Sequence, residues 1–252
     1  MRLALLAIPA VRSALSLEIG RDIEYHAALP STQDRARELA AAGAAPWVVV
    51  GDLQTAGQGT RGRSWHAPAG TSLLASWLFR PAPAEPGLFA LLAGVAVARA
   101  LARLGMSGAS LKWPNDVEAG HKKVAGALAH ATTDGEGGSL VLGIGVNVHQ
   151  TEEDFPAELR ERATSLALAG HTLDRLSLLV ALTRELDRVA ALTEREAALA
   201  EWRIRSTVLG REVEVTREGL PVLRGIARDI ADDGALLVGS ERVVGGDVRA
   251  LE

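Results

Sequence analysis

The chain alternates between stretches with helical apolar spacing and short runs that read as strands. Ser31-Thr32-Gln33-Asp34 offers a hydroxyl cap and an early acid ahead of an alanine-rich segment, which predicts a helix from Ser31 to Gly43. Pro46 to Val50 is a short unbroken apolar run, the pattern of a buried strand, and Thr71 to Phe79 alternates weakly as a second strand. Pro81, Pro83 and Pro86 mark a turn before Gly87 to Leu104, a strongly apolar helix expected to lie buried against a sheet. Ser110 to Trp113 is a short strand that Pro114 stops. Val124 to Thr132 and Ser139 to Val146 read as an antiparallel pair joined by the turn Asp134-Gly135-Glu136-Gly137-Gly138. Leu173 to about Ile204 carries apolar residues at helical spacing (Leu176, Leu179, Val180, Leu182, Leu186, Val189), as one helix or as two broken near Thr193. Its Glu and Arg residues are expected to form a solvated face. Residues 1–30 give no clear pattern.

From Ser206 the composition changes. Seven glycines (210, 219, 225, 234, 239, 245, 246) punctuate short runs such as Glu212 to Val215, Gly225 to Ala227 and Ala235 to Val238. That is the pattern of a small β-barrel of about five strands. The sequence thus predicts two domains, 1–205 and 206–252.

Composition narrows the chemistry. The 252 residues are 48% hydrophobic, enough to bury a substantial core. Net charge is −4, which argues against a non-specific grip on nucleic acid. There is no cysteine, so disulfides and thiolate chemistry are excluded, and the six histidines have no HxxxH or HExxH spacing for a zinc site. The start, MRLALLAIPAVRSAL, imitates a secretory signal, but its apolar run is short and Arg12 closes it. No run reaches the ~18 apolar residues of a membrane span. A cytoplasmic location, with no membrane or nucleic-acid partner, is therefore expected. Two asparagines, two methionines and no cysteine leave few thermolabile side chains, as in a thermophile or an Arg-rich genome.

Every lysine in the chain, Lys112, Lys122 and Lys123, falls in LKWPNDVEAGHKKVAG at 111–126, while the other 24 basic residues are arginine. The stretch also holds Asn115, one of two asparagines; the second, Asn147, ends GIGVN. A chain that otherwise writes arginine has kept a compact ammonium here, which a planar guanidinium does not replace. Upstream, Gln54-Thr55-Ala56-Gly57-Gln58-Gly59-Thr60-Arg61-Gly62-Arg63-Ser64-Trp65 contains a literal GxGxxG. No helix follows it, because His66-Ala67-Pro68-Ala69-Gly70 breaks one, and no GK[ST] ends it. What remains is a glycine loop with bare N–H groups and two arginines, suited to wrapping a phosphate. Lys123, Arg61 and Arg63 could together hold two anions that repel each other, a carboxylate and a nucleotide phosphate. Joining those two groups makes an acyl-adenylate by positioning and charge stabilisation.

At these residues the sequence resembles biotin protein ligase, also called biotin–[acetyl-CoA-carboxylase] ligase. The resemblance runs in order through Ser31-Thr32, Gln54-Thr55-Ala56-Gly57, Arg61-Gly62-Arg63 with Trp65, Lys112-Trp113-Pro114-Asn115-Asp116, Lys123-Val124-Ala125-Gly126 and Gly143-Ile144-Gly145-Val146-Asn147. Thr164-Ser165-Leu166 and the C-terminal barrel also fit. It implies an α+β fold: a mixed seven-stranded sheet flanked by helices, of class II synthetase-like type, followed by an SH3-like β-barrel. It also implies that biotin and Mg-ATP give biotinyl-5′-AMP, from which a lysine of the biotin carboxyl carrier protein takes the biotin. The implied biotin residues are Ser31, Thr32, Gln33, Gln54, Gly57, Gly59, Thr60, Arg61, Lys123 and Gly126. The implied ATP residues are Arg63, Trp65, Lys112, Trp113, Asn115, Asp116 and Asn147, with Asp116 also near Mg2+. Lys123, Arg61 and Arg63 would carry the catalysis.

Three features depart from the family pattern. The loop usually reads GRGRRGR, and Gln58 and Thr60 replace two of its arginines. Each charge-assisted contact is worth about 1.5–3 kcal/mol, so the adenylate should be held less tightly unless something compensates. Gln33 stands for the usual Asn, and Gly126-Ala127-Leu128 for the usual GIL. The 30 residues before Ser31 are too few for a helix-turn-helix domain with a linker, so no repressor role is expected. The rivals are a degenerate binder of biotin or its adenylate that transfers nothing, and a lipoate ligase. The sequence leaves the oligomeric state open, a homodimer included.

Overall fold

The structure is a computed structural model that describes residues 22–44, 47–83, 85–133 and 137–251. The signal-like start, Pro46 and residues 134–136 of the expected turn lie outside the described residues.

Seven strands form one mixed sheet: β1 (Asp22–His26), β2 (Trp47–Gly51), β3 (Ser72–Phe79), β4 (Ser110–Lys112), β5 (Asp116–Ala119), β6 (Lys122–Thr132) and β7 (Ser139–Asn147). Their order is β1-β2-β3-β7-β6-β5-β4; β1 runs parallel to β2 and every other pair is antiparallel. Among the described residues four helices accompany it: α1 (Thr32–Ala41), α2 (Pro86–Arg103), α3 (Arg175–Ala190) and α4 (Arg195–Arg205). The expected α+β architecture is the one observed.

Both faces of the sheet are covered. In β2, Val48 and Val50 join the large core that contains α2, α3 and α4, while Val49 joins a small core under α1 with Leu29, Ala36, Leu78 and Val141. A strand buried on both sides has no need to alternate, which accounts for its unbroken apolar run. Helix α2 supplies Leu88, Leu91, Leu92 and Leu101 to the large core, each worth about 1.5–3 kcal/mol.

Helix α1 starts where its cap is: the Ser31 hydroxyl accepts from the Gln33 and Asp34 amides at 3.2 and 3.4 Å. The break in the long helical stretch falls at 191–194, between α3 and α4. The acids and arginines of this stretch do not all face solvent. Arg175 and Glu185 are each 1% exposed. Glu185 is paired with Arg103 and Arg188, and Arg175 reaches under the sheet to Asp52 at 2.8 Å. A cation in the first turn opposes the helix dipole; the buried carboxylate explains why it is there.

Two strands carry no clear signal in the sequence. Strand β1 is a five-residue edge strand in a stretch of mixed composition. Strand β5 follows Trp113-Pro114-Asn115 directly, pairing Lys112 with Asp116, so the turn chemistry that suggests a loop is the tip of a hairpin.

The C-terminal part is a five-stranded antiparallel sheet of the SH3-like type: β8 (Glu212–Thr216), β9 (Leu223–Ile230), β10 (Leu236–Val238), β11 (Glu241–Val243) and β12 (Asp247–Ala250), in the order β11-β10-β9-β8-β12. It is tied to the end of the large sheet. Thr207 N donates to Leu111 O at 2.9 Å, the Trp113 indole donates to Gly234 O at 2.9 Å, and Arg203 pairs with Asp229 at 2.7 Å. Among the described residues no helix is long and apolar enough to cross a membrane.

Candidate active site

The pocket is built on a floor of three glycines. Gly126 of β6 lies opposite Gly145 of β7, and Leu128 lies opposite Gly143. A Cβ on Gly145 would stand 2.5 Å from the Trp65 ring, one on Gly126 would stand 2.9 Å from Lys123 Nζ, and one on Gly143 would collide with the Gln33 amide oxygen. The bare backbone therefore lets Trp65, Lys123 and Gln33 lie directly on the sheet. The space above the floor is a narrow cleft that opens to solvent.

The N-terminus of α1 and the glycine loop form one wall. Thr32 N and Thr32 Oγ1 both donate to Gln54 Oε1, at 2.7 and 3.0 Å, and Thr32 Oγ1 lies 2.9 Å from Ser76 Oγ. Gln33 Nε2 donates to the Leu128 and Val141 carbonyls at 3.1 and 3.3 Å, which locks its amide over Gly143. Ser31, Thr32 and Gln33 are all buried, so this end of the pocket is lined by polar groups held in the interior.

Lys123 occupies the opposite wall. Its ammonium pairs with Asp116 at 2.5 Å and lies 5.5 Å from the centre of the Trp65 ring. Its backbone is clamped from outside the sheet: Lys123 N donates to Arg162 O at 2.8 Å, and Thr164 N donates to Lys123 O at 2.9 Å. The same segment holds Asn147, since Leu166 N donates to Asn147 O and Asn147 Nδ2 donates to Thr164 O, both at 3.0 Å. The segment 162–166 thus fixes the ends of β6 and β7 together, a positioning role that its sequence does not reveal.

Of the residues expected to contact biotin, Ser31, Thr32, Gln33, Gln54, Gly59, Thr60, Lys123 and Gly126 line the pocket; of the ATP set, Trp65 and Asn115 do. Gly57 is packed behind it, where a Cβ would meet Trp65 O at 2.8 Å. Arg61 and Arg63 do not line the pocket in this structure. They reach outward to Asp247 of β12, at 2.8 and 2.9 Å. Trp113 and Asn147 are buried, with their polar atoms given to Gly234, Thr164 and Gln150, so they support the pocket rather than open into it. Lys112 sits opposite Asp116 in the β4–β5 hairpin, close to Glu118. Burial pushes the Glu118 carboxyl above its usual range, against the pull of Lys112 and a hydrogen bond with Thr207. Gln58, Leu74, Ala75, Ala127, Leu128, Gly143, Ile144 and Gly145 complete the lining. The glycines at 143 and 145 are visible in the sequence as places where a ligand could approach the backbone; the apolar residues carry no such signal.

The described residues hold no group of three or more His, Asp or Glu side chains suited to a metal ion. Asp116, beside the pocket, is engaged by Lys123. This does not make a protein-held metal site.

The chain was compared with known proteins. It is 38% identical over 214 residues to the biotin–[acetyl-CoA-carboxylase] ligase of Mycobacterium tuberculosis, covering 80% of this chain and 77% of that one. The chain belongs to the biotin protein ligase family. Residues 26–147 match the biotin/lipoate A/B protein ligase family, and residues 208–248 match the biotin protein ligase C terminal domain. A second relative in this biotin protein ligase family is the bifunctional ligase/repressor BirA of Bacillus subtilis, 39% identical over 176 residues, 67% of this chain. The chain spans 54% of that relative's length. A biotin protein ligase from Aquifex aeolicus, solved in complex with biotin and ATP, superposes with a TM-score of 0.76 at 26% identity, over 92% of this chain and all of that one.

Proposed function

We propose that this protein is an ATP-dependent ligase that activates biotin as biotinyl-5′-AMP and transfers it to a lysine of the biotin carboxyl carrier protein of acetyl-CoA carboxylase. One observation carries the reading: a single ammonium, Lys123, is held between Asp116 and the face of Trp65 at the edge of a glycine-floored pocket. In the first step a carboxylate oxygen of biotin attacks the α-phosphorus of ATP. The new C–O–P linkage forms as the Pα–O–Pβ bond breaks, and pyrophosphate leaves. Two anions must meet for this, and Lys123 lowers their repulsion without becoming covalently attached. In the second step the carrier lysine, as the free amine, attacks the activated carbonyl; an amide forms, AMP leaves and the amine loses its proton.

Ser31, Thr32, Gln33 and Gln54 would hold the polar head of biotin, and the apolar residues 74, 75, 127, 128 and 144 its rings and chain. The loop 57–63 would fold over the adenylate, bringing Arg61 and Arg63 to its phosphate. Mg2+ would arrive with the triphosphate, whose oxygens fill most of its coordination sphere. The catalytic unit would be 1–205, with 206–252 as the C-terminal SH3-like domain. The reading also places the protein in the cytoplasm, where the carrier and ATP are.

Labelled biotin, ATP and a carrier domain test this together. Label on the carrier lysine is the expected result. Labelled adenylate without labelled carrier would favour a binding protein instead, a reading that Gln58 and Thr60, in place of arginines, keep in view. Competition by lipoate at equal concentration would shift the substrate to the other branch of the family.

A further inference from the structure

The glycine loop is fastened at two points, one at the rim of the pocket and one away from it. At one end Gln58 Nε2 donates to both carboxylate oxygens of Asp34 in α1, at 3.1 Å each. At the other, a single carboxylate, Asp247 at the start of β12, receives Arg61 Nη1 on one oxygen and Arg63 Nη2 on the other. Arg61 also donates to Thr216 O of β8 at 3.1 Å. Arg61 itself sits in the left-handed region, with φ of 58°, and its neighbour Gly62 has φ of 70°. An arginine takes that conformation at a cost, which the two contacts to the C-terminal sheet offset.

We propose that Asp247 is a positioning residue: it holds Arg61 and Arg63 on the C-terminal sheet, away from the pocket, until a phosphate-bearing ligand takes them over. The proposal rests on the ligase reading for the identity of that ligand, but the restraint itself belongs to the ligand-free protein. The geometry suits an exchange. Both arginines and Asp247 are partly exposed, with 31%, 58% and 50% of their side chains open to solvent. Such pairs are weak and salt-screened, so a phosphate held in the pocket can outbid them. One carboxylate serving two guanidiniums also leaves the pair with net positive charge, which keeps the parked loop attractive to an anion. The consequence is that the C-terminal sheet sets how readily the loop closes although it contributes no residue to the pocket lining.

Trypsin provides a direct readout, because it cleaves after Arg61 and Arg63. Cleavage at these two bonds is followed by mass spectrometry in the full-length protein without ligand, at low salt. Asp247→Asn should be cut on the order of threefold to tenfold faster than the parent, and Asp247→Glu should recover most of the protection. Raising the salt should speed cleavage of the parent towards the Asp247→Asn rate and leave the variant nearly unchanged. With biotin present, the KM for ATP should fall in Asp247→Asn, since no carboxylate competes for the arginines. Equal cleavage of parent and Asp247→Asn at low salt overturns the proposal. So does a faster rate that Asp247→Glu fails to slow, or one matched by equally faster cleavage at arginines of α4. The proteolysis needs no turnover. A protein that fails to label a carrier but shows the protection pattern would refute the ligase reading and keep the restraint.

Discussion

Replacing Gly145 with alanine adds one methyl group to the pocket floor. That methyl would lie 2.5, 2.7 and 3.0 Å from three atoms of the Trp65 indole, against an ordinary contact of about 3.4–4 Å. The strand cannot give way easily, because β7 is bonded on one side to β3 and on the other to β6 at this residue. The indole has to lift by about 1 Å. The backbone effect alone favours the variant, since alanine loses less entropy than glycine in a strand, about 0.5–1 kcal/mol. Much of the cost of moving the ring is thereby offset, and the thermal midpoint should change by only a few degrees. The pocket is affected more. Lys123 loses a ring face worth about 0.5–1 kcal/mol, and a displacement of this size near reacting groups costs up to about 100-fold in rate. Biotin-dependent ATP–pyrophosphate exchange should therefore fall about 10- to 100-fold in Gly145→Ala, or about 1.4–2.7 kcal/mol in the barrier. The control is Gly87→Ala in α2, where a Cβ meets nothing within 4 Å; it should leave exchange unchanged. Parental exchange in a folded Gly145→Ala would refute the reasoning, as would a loss that merely tracks unfolding.

Two further substitutions test the charges beneath the site. Arg175→Ala strips Asp52 of its buried cationic partner while the Tyr25 hydroxyl stays at 2.6 Å; chemical denaturation should show a loss of about 3–5 kcal/mol. Glu118 has a carboxyl raised by burial, so folding favours its protonated form. Its ionisation weakens the fold as pH rises through the ordinary carboxylate range to the raised value. Glu118→Gln should therefore be more stable than the parent at neutral pH and lose that advantage in acid, as read from melting temperatures at several pH values; an advantage independent of pH would contradict it.

Much of the fold is legible in the sequence because α1 is capped, α2 and α3 carry apolar residues at helical spacing, and β2 is an unbroken apolar run. Ser31 marks the start of α1 by the side chain that caps it. Strands β1 and β5 are not legible: the first is a short, half-buried edge strand of mixed composition, and the second follows a tight turn whose residues look the same in any loop. The pocket divides the same way. Lys123, Trp65 and Gln54 stand beside glycines whose spacing announces a close approach. Arg61 and Arg63 are recognisable as anion-binding residues, but their position on Asp247 depends on a contact across more than 180 residues. Arg175 looks like one more surface arginine because its buried partner, Asp52, is over 120 residues away.

The central claim is that a solitary ammonium brings the carboxylate and the phosphate together. Nζ of Lys123 lies 2.9 Å from where a Gly126 Cβ would be and is bracketed by Asp116 and Trp65, contacts made by a compact ammonium that a planar guanidinium does not reproduce. Single-turnover formation of biotinyl-5′-AMP should drop about 100- to 1,000-fold in Lys123→Ala, and Lys123→Arg should recover no more than about tenfold of that loss. Equal rates with Arg and Lys at position 123 would contradict it.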